Sequence, residues 1–246
     1  MLDSFDKGSR AVVIGASGGI GKAFTEKLGA EDCFDEVFAF SRSDVAWDND
    51  TITPGHIDLL DEGSIRAAAE NAGDGGPLHL VIVATGMLHE GDEVQPEKTF
   101  SSLERDQMER GFAINTIGPA LIAKHFLPLM DREARNVFAA LSARVGSIGD
   151  NYLGGWYTYR ASKAALNMML RGLSIEVGRK NEKALVIGLH PGTVDTALSD
   201  PFQGNVPDEK LFTPDYATSK LLEVIDGLGP DQTGKIFAWD GEAIPY

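Results

Sequence analysis

The sequence predicts an α/β fold: a doubly wound parallel sheet of seven strands, in a single domain spanning residues 1–246. Three observations predict it. Short apolar or β-branched runs alternate with longer amphipathic stretches, the pattern of βαβ units. Right-handed crossovers between such units wind the helices onto both faces of one sheet. Residues 78–84 (LHLVIVA) are almost uninterrupted in apolar character, as a strand covered on both faces requires. A glycine-rich turn, Gly15-Ala16-Ser17-Gly18-Gly19-Ile20-Gly21, links the first apolar run to the first helix.

The elements follow in order. Residues 10–14 (RAVVI) read as the first strand, and 21–28 as a helix. Residues 36–40 (EVFAF) form a second strand, and 53–57 a short third one ending at Asp58. The fourth is 78–84. Residues 107–129 are helical, with Pro119 as a disturbance because it lacks an N–H and crowds the preceding turn. Residues 137–141 are a fifth strand, 157–177 a long helix, 184–189 a sixth strand and 236–239 a seventh. Residues 193–212 carry Pro201, Gly204 and Pro207 and read as a loop or short-helix excursion. No repeat, low-complexity tract or composition shift divides the chain.

Composition narrows the function classes. Hydrophobic residues make up 43% of 246, enough to bury a sizeable core. Formal net charge is −15, which repels phosphate backbones and anionic lipid, so nucleic acid and membrane are not expected as partners. The single cysteine, Cys33, allows no internal disulfide and suits a reducing compartment. The acidic start lacks the basic and apolar regions of a signal peptide, and no apolar run approaches the roughly 20 residues of a membrane span. A cytoplasmic location is therefore expected. The five histidines are scattered without paired-ligand spacing, and no metal site is expected.

Chemistry enters at two places. A glycine-rich turn between strand and helix lets backbone approach a pyrophosphate, and the helix N-terminus offers free N–H groups to that anion. The second strand ends at Phe40 without the Asp or Glu that accepts from a ribose 2′-hydroxyl. Ser41-Arg42-Ser43 stands there instead, and the guanidinium of Arg42 suits a 2′-phosphate. NADP(H) is thus the expected cofactor. The second place is Tyr159-Arg160-Ala161-Ser162-Lys163. Positions i and i+4 share a helix face, and a nearby ammonium is expected to lower the phenol's pKa toward neutrality. Such a tyrosine can give a proton to a carbonyl or take one from an alcohol.

Together these segments resemble the short-chain dehydrogenase/reductase family over nearly the whole chain. Gly15, Gly19 and Gly21 match its GxxxGxG form of the Rossmann turn. The resemblance implies cofactor contacts from Gly15, Ser17, Gly18, Gly19, Ile20 and Gly21, and from Ser41, Arg42, Asp58 and Leu59. It implies more from Ala84, Thr85 and Gly86, where the family reads NNAG and this chain lacks the asparagines. His190-Pro191-Gly192-Thr193-Val194-Asp195-Thr196 resembles the family's PGxVxT segment, so Pro191, Gly192, Thr193, Val194 and Thr196 are expected near the nicotinamide. Tyr159 is the implied acid, Lys163 tunes it and holds the ribose, and Asn115 supports a proton path. The family's catalytic serine aligns with Ala143, and Ser142 is expected to take that role. Residues 142–159 resemble the C-factor-like and carbonyl reductase branch. Trp156, Tyr157, Leu153 and Phe202 are candidates for an apolar pocket. The implied activity is hydride transfer between NADP(H) and a small carbonyl or alcohol, in a homodimer or homotetramer. The alternatives are an NAD(P)-binding signalling protein with little turnover, or another reaction such as epimerisation on the same fold.

Overall fold

A computed structural model describes residues 2–91, 94–205 and 207–246. Its centre is a sheet built from β1 (Ser9–Ile14), β2 (Phe34–Ser41), β3 (Ile52–His56), β4 (Leu80–Val83), β5 (Asn136–Leu141), β6 (Ala184–His190), and, after a two-stranded ribbon of β7 (Thr193–Val194) and β8 (Leu211–Phe212), β9 (Ile236–Ala238) and β10 (Ala243–Ile244). The order across the sheet is β10-β9-β6-β5-β4-β1-β2-β3. Every neighbouring pair is parallel except β9 with β10. The sheet therefore has eight strands rather than the expected seven. The extra one is a two-residue antiparallel edge after the Gly241 turn, too short to carry a periodic signal.

Six helices cover the two faces: α1 (Gly19–Gly29), α2 (Glu62–Gly73), α3 (Arg105–Phe112), α4 (Gly118–Phe126), α5 (Tyr157–Gly178) and α6 (Pro214–Gly227). Alternation along each strand divides the core. Val12 and Ile14 pack toward Ile65, Ile122, Phe126, Leu166 and Leu170 on α2, α4 and α5. Ala11 and Val13 pack the other way, toward Phe24, Leu28, Leu221 and Ile225 on α1 and α6. With both faces covered, β1, β4 and β5 are buried along their whole length.

Strand order reverses between β1 and β4, and a crevice opens there at the carboxyl ends of the strands. The expected helix 107–129 is broken. Residues 113–117 form a π-helical turn between α3 and α4. Its cause lies just downstream: Pro119 donates no N–H, and its ring would press on the Asn115 carbonyl four residues back, so the backbone widens by one residue. The turn carries Asn115 inward, where it is fully buried.

Candidate active site

The crevice is a cleft of about 390 Å³ lined by Gly15, Ser17, Gly18, Ser41, Arg42, Asp58, Leu59, Ala84, Thr85 and Gly86. Ten of the expected cofactor contacts thus come together from the ends of β1, β2 and β4 and from the segment after β3. The turn after β1 is shaped by close approach. A Cβ on Gly21 would stand 2.1 Å from the Gly15 carbonyl oxygen, and one on Gly15 would meet the Thr85 methyl at 2.9 Å. Gly15 also holds φ +93°, a left-handed conformation that favours glycine. Ile20 does not face the cleft; it packs on the core beneath α1.

The groups available to a bound nucleotide are identifiable. Arg42 is exposed, and no hydrogen bond or ion pair ties it down among the described residues. Ser41 is buried and gives its hydroxyl proton to the Ser43 carbonyl at 2.5 Å. Asp58 accepts the Leu60 N–H at 3.0 Å, a turn-forming contact that leaves its second oxygen unused by that bond. The Thr85 hydroxyl is buried without a partner among the described residues, an unmet polar group in the cleft wall. Across the crevice, Thr196 reaches the glycine turn: a Cβ on Gly19 would lie 2.9 Å from its methyl. Gly192 holds φ +78°, with Phe212 and Trp239 packed where a Cβ would go. Thr193 and Val194 pair with β8, which ties together the two ends of the 193–212 excursion.

The second group of expected residues lies beside the cleft at Gly86, not in its lining. Tyr159 and Lys163 sit one turn apart on α5, with the Lys163 ammonium 5.8 Å from the Tyr159 ring centre. Lys163 donates to the Leu141 carbonyl at 2.7 Å. Asn115 exchanges two bonds of 2.8 Å with the Met87 backbone and donates to Ser162 at 3.1 Å, while Ser162 donates to the Tyr159 carbonyl at 2.9 Å. Gly86 completes the contact: a Cβ there would stand 3.5 Å from Lys163 Nζ and 3.7 Å from Asn115 Oδ1. The π turn, β4 and α5 therefore converge on one point.

One expectation needs correction, and a second residue has an unforeseen neighbour. The Tyr159 pKa is not lowered in the chain alone. Burial pushes the phenol up to about 12, and the same burial pushes Lys163 down to about 8. Burial is the cause of both shifts, and the Lys163 ammonium is turned to the Leu141 carbonyl. Ser142 is that second residue. It is buried, and its hydroxyl donates to Asn167 Oδ1 at 2.6 Å, one turn beyond Lys163. That bond makes Ser142 a support for the Asn167 side chain. Ser147 is likewise buried and accepts the Asp150 N–H at 3.1 Å. Ala143 is buried at the position between them.

Several neighbours were not anticipated. His89 lines the cleft, and its Nε2 lies 3.0 Å from the Ala197 carbonyl. Its ring meets Phe202 edge-on at 5.7 Å; Phe202 meets Trp156 at 5.2 Å, and Trp156 meets Tyr159 at 6.3 Å. This row of rings runs from the cleft to the tyrosine. Of the expected pocket residues, Phe202 and Trp156 belong to it; Leu153 is 91% exposed and stands apart. The position of His89 just after β4 was the available signal, since residues beyond strand ends line the crevice.

This arrangement coincides with a match to the model of the short chain dehydrogenase family over residues 9–206. The chain belongs to that family. It is accordingly an oxidoreductase, and relatives of this short-chain dehydrogenase extend along its whole length. It is 34% identical over 242 residues to 1-hydroxy-2-glutathionyl-2-methyl-3-butene dehydrogenase of Rhodococcus sp. (strain AD45), covering 97% of this chain and all of that one. It is 37% identical over 139 residues to C-signal of Myxococcus xanthus, covering 56% of this chain and 78% of that protein. The structure resembles NADPH-bound carbonyl reductase from chicken fatty liver, with TM-score 0.86, 27% identity, and coverage of 98% of this chain and all of the other. Among the described residues no helix is long and apolar enough to cross a membrane, and no group of His, Cys, Asp or Glu could hold a metal ion.

Proposed function

We propose that this short-chain dehydrogenase reduces a small carbonyl compound with NADPH. The observation that carries the reading is the convergence of Tyr159, Lys163 and Asn115 behind Gly86, whose backbone lines a cleft built around a glycine-rich turn. The cofactor would be held by the backbone of Gly15, Ser17 and Gly18, by Thr85 with its unpartnered hydroxyl, and by Arg42 at a 2′-phosphate. When bound, NADPH supplies the hydride. The chain supplies the proton. A phenol raised to about 12 stays protonated through the neutral range, so Tyr159 holds the proton that a developing alkoxide needs. Lys163 lies within reach of both the tyrosine ring and the ribose side of the cleft. Asn115 fixes the Met87 backbone and, through Ser162, the first turn of α5. With Ala143 in the serine's place and Ser142 committed to Asn167, the carbonyl oxygen depends mainly on Tyr159. The NADPH-bound relative and the exposed, unpaired Arg42 support NADPH over NADH.

Trp156 and Phe202 give the substrate an apolar wall beside Tyr159. Cytoplasmic location and homo-oligomerisation are part of this proposal; the first rests on the single cysteine, which suits a reducing compartment.

The test is NADPH oxidation across a panel of aldehydes and ketones, with two variants. Tyr159→Phe should lose about 10²–10⁴ in rate while binding NADPH almost normally, as removal of a placed general acid does. Ser142→Ala should cost far less. Full activity in Tyr159→Phe, with any compound the wild type reduces, would overturn the mechanism.

A further inference from the structure

Helix α5 begins in an unusual way. Its cap position is Trp156, whose indole cannot accept a hydrogen bond and which holds φ 48°, left-handed for a non-glycine residue. Gly154 and Gly155 before it are left-handed too. A helix start leaves backbone N–H groups without partners, and a Ser, Thr, Asp or Asn at the cap normally accepts from one. Here a distant residue does so. Glu97 is 3% exposed. One oxygen of its carboxylate accepts the Thr158 N–H at 3.1 Å, and the other accepts the Thr158 hydroxyl proton. Its own carbonyl accepts the Trp156 N–H at 2.6 Å. Thr158 is meanwhile locked against α3, where a Cβ on Gly111 would strike its methyl at 2.4 Å.

A buried carboxylate is costly unless charge-assisted bonds and the positive end of a helix offset it. Glu97 has both. The turn it holds carries Thr158 and then Tyr159, and the residue it clamps by main chain is Trp156, whose ring abuts Tyr159. Glu97 and Tyr159 also line one small pocket, so the cap and the tyrosine are neighbours in space.

We propose that Glu97 is a positioning residue for Tyr159: a buried, long-range helix cap that sets where the proton donor and the adjoining indole stand. This rests on the reading of Tyr159 as the acid. The test compares Glu97→Ala, Glu97→Gln and Thr158→Val with Tyr159→Phe as control, using NADPH and a ketone the wild type reduces. Glu97→Ala should lower kcat about tenfold to a hundredfold, the scale of a small misplacement. NADPH affinity should stay within about twofold, because the cleft is built by other elements. Glu97→Gln should restore kcat to within about threefold of wild type, since the amide oxygen still accepts the Thr158 N–H. Thr158→Val, which keeps the N–H and loses the hydroxyl, should fall between. The deuterium isotope effect from 4-deuterated NADPH should rise in Glu97→Ala, because the chemical step is the one slowed. An unchanged kcat in Glu97→Ala, whatever its melting temperature, overturns the proposal. So does equal damage in Glu97→Gln and Glu97→Ala, or an isotope effect that does not move. If Tyr159→Phe keeps wild-type turnover, the acid assignment itself has failed; if only Tyr159→Phe loses turnover, Glu97 alone is refuted.

Discussion

Lys163 is the residue at which chemistry and stability pull apart. Its ammonium is buried, with a pKa near 8 in the fold against 10.5 for a free lysine. Between those values the unfolded chain holds a proton that the folded chain has released. The unfolded state binds more protons there, so the lysine's contribution to stability rises with pH through that window. Lys163→Met removes the term and leaves the opposing Tyr159 shift in both proteins. Denaturant titrations at pH 7 through 10 should show wild type gaining on Lys163→Met by up to about 3 kcal/mol as pH rises. A difference that ignores pH contradicts a buried, easily discharged ammonium. Arg42 makes the opposite case, an exposed cation without a described partner. Arg42→Ala should weaken NADPH by about 1–3 kcal/mol and leave NADH nearly untouched, as measured by dissociation constants for both. Equal loss for the two nucleotides would remove the 2′-phosphate role.

At the scale of elements, what could be read in the sequence and what could not have separate causes. The strands of the sheet centre were legible because burial on both faces writes an apolar run that local chemistry alone explains. The glycine turn was legible because steric exclusion leaves one residue type: at Gly21 a methyl group has no space. The helix break near Pro119 was foreseen, but not that it takes the form of a π turn centred upstream, on Asn115. The partner of Ser142 was not legible, because a register argument places a residue without saying which neighbour takes its hydroxyl; in the fold Asn167 does. Helices α2 and α6 were passed over although both start on readable caps, Asp61 accepting from Gly63 and Thr213 from Tyr216. Glu97 left no local signal at all, since its partner is 61 positions away and its loop has no period.

For the whole molecule, charge and exposed apolar surface oppose each other. A net charge of −15 drives copies apart, yet Ile117 is 53%, Met168 70%, Met169 41% and Ile175 45% exposed. These residues lie on the π turn and on α5, the two elements that also carry Asn115 and Tyr159. Apolar patches of this kind mark contact surfaces. Light scattering at micromolar concentration should give a dimer or tetramer, firmer in higher salt as repulsion is screened. Met168→Glu should shift it toward monomer. A wild-type monomer at all salt concentrations counts against the assembly.

The row of rings beside Tyr159 also makes the molecule its own optical gauge. The chain has three tryptophans, and only Trp156 stands with both Phe202 and Tyr159 against it. Indole emission depends on what packs on it and how much water reaches it. With Trp47 and Trp239 replaced by phenylalanine, the remaining emission would come from Trp156 alone. Its colour and intensity would report on the packing of Phe202 and Tyr159, and a reduced nicotinamide bound nearby would quench it by energy transfer. Cofactor arrival would then be timed in one stopped-flow trace, with no dye attached.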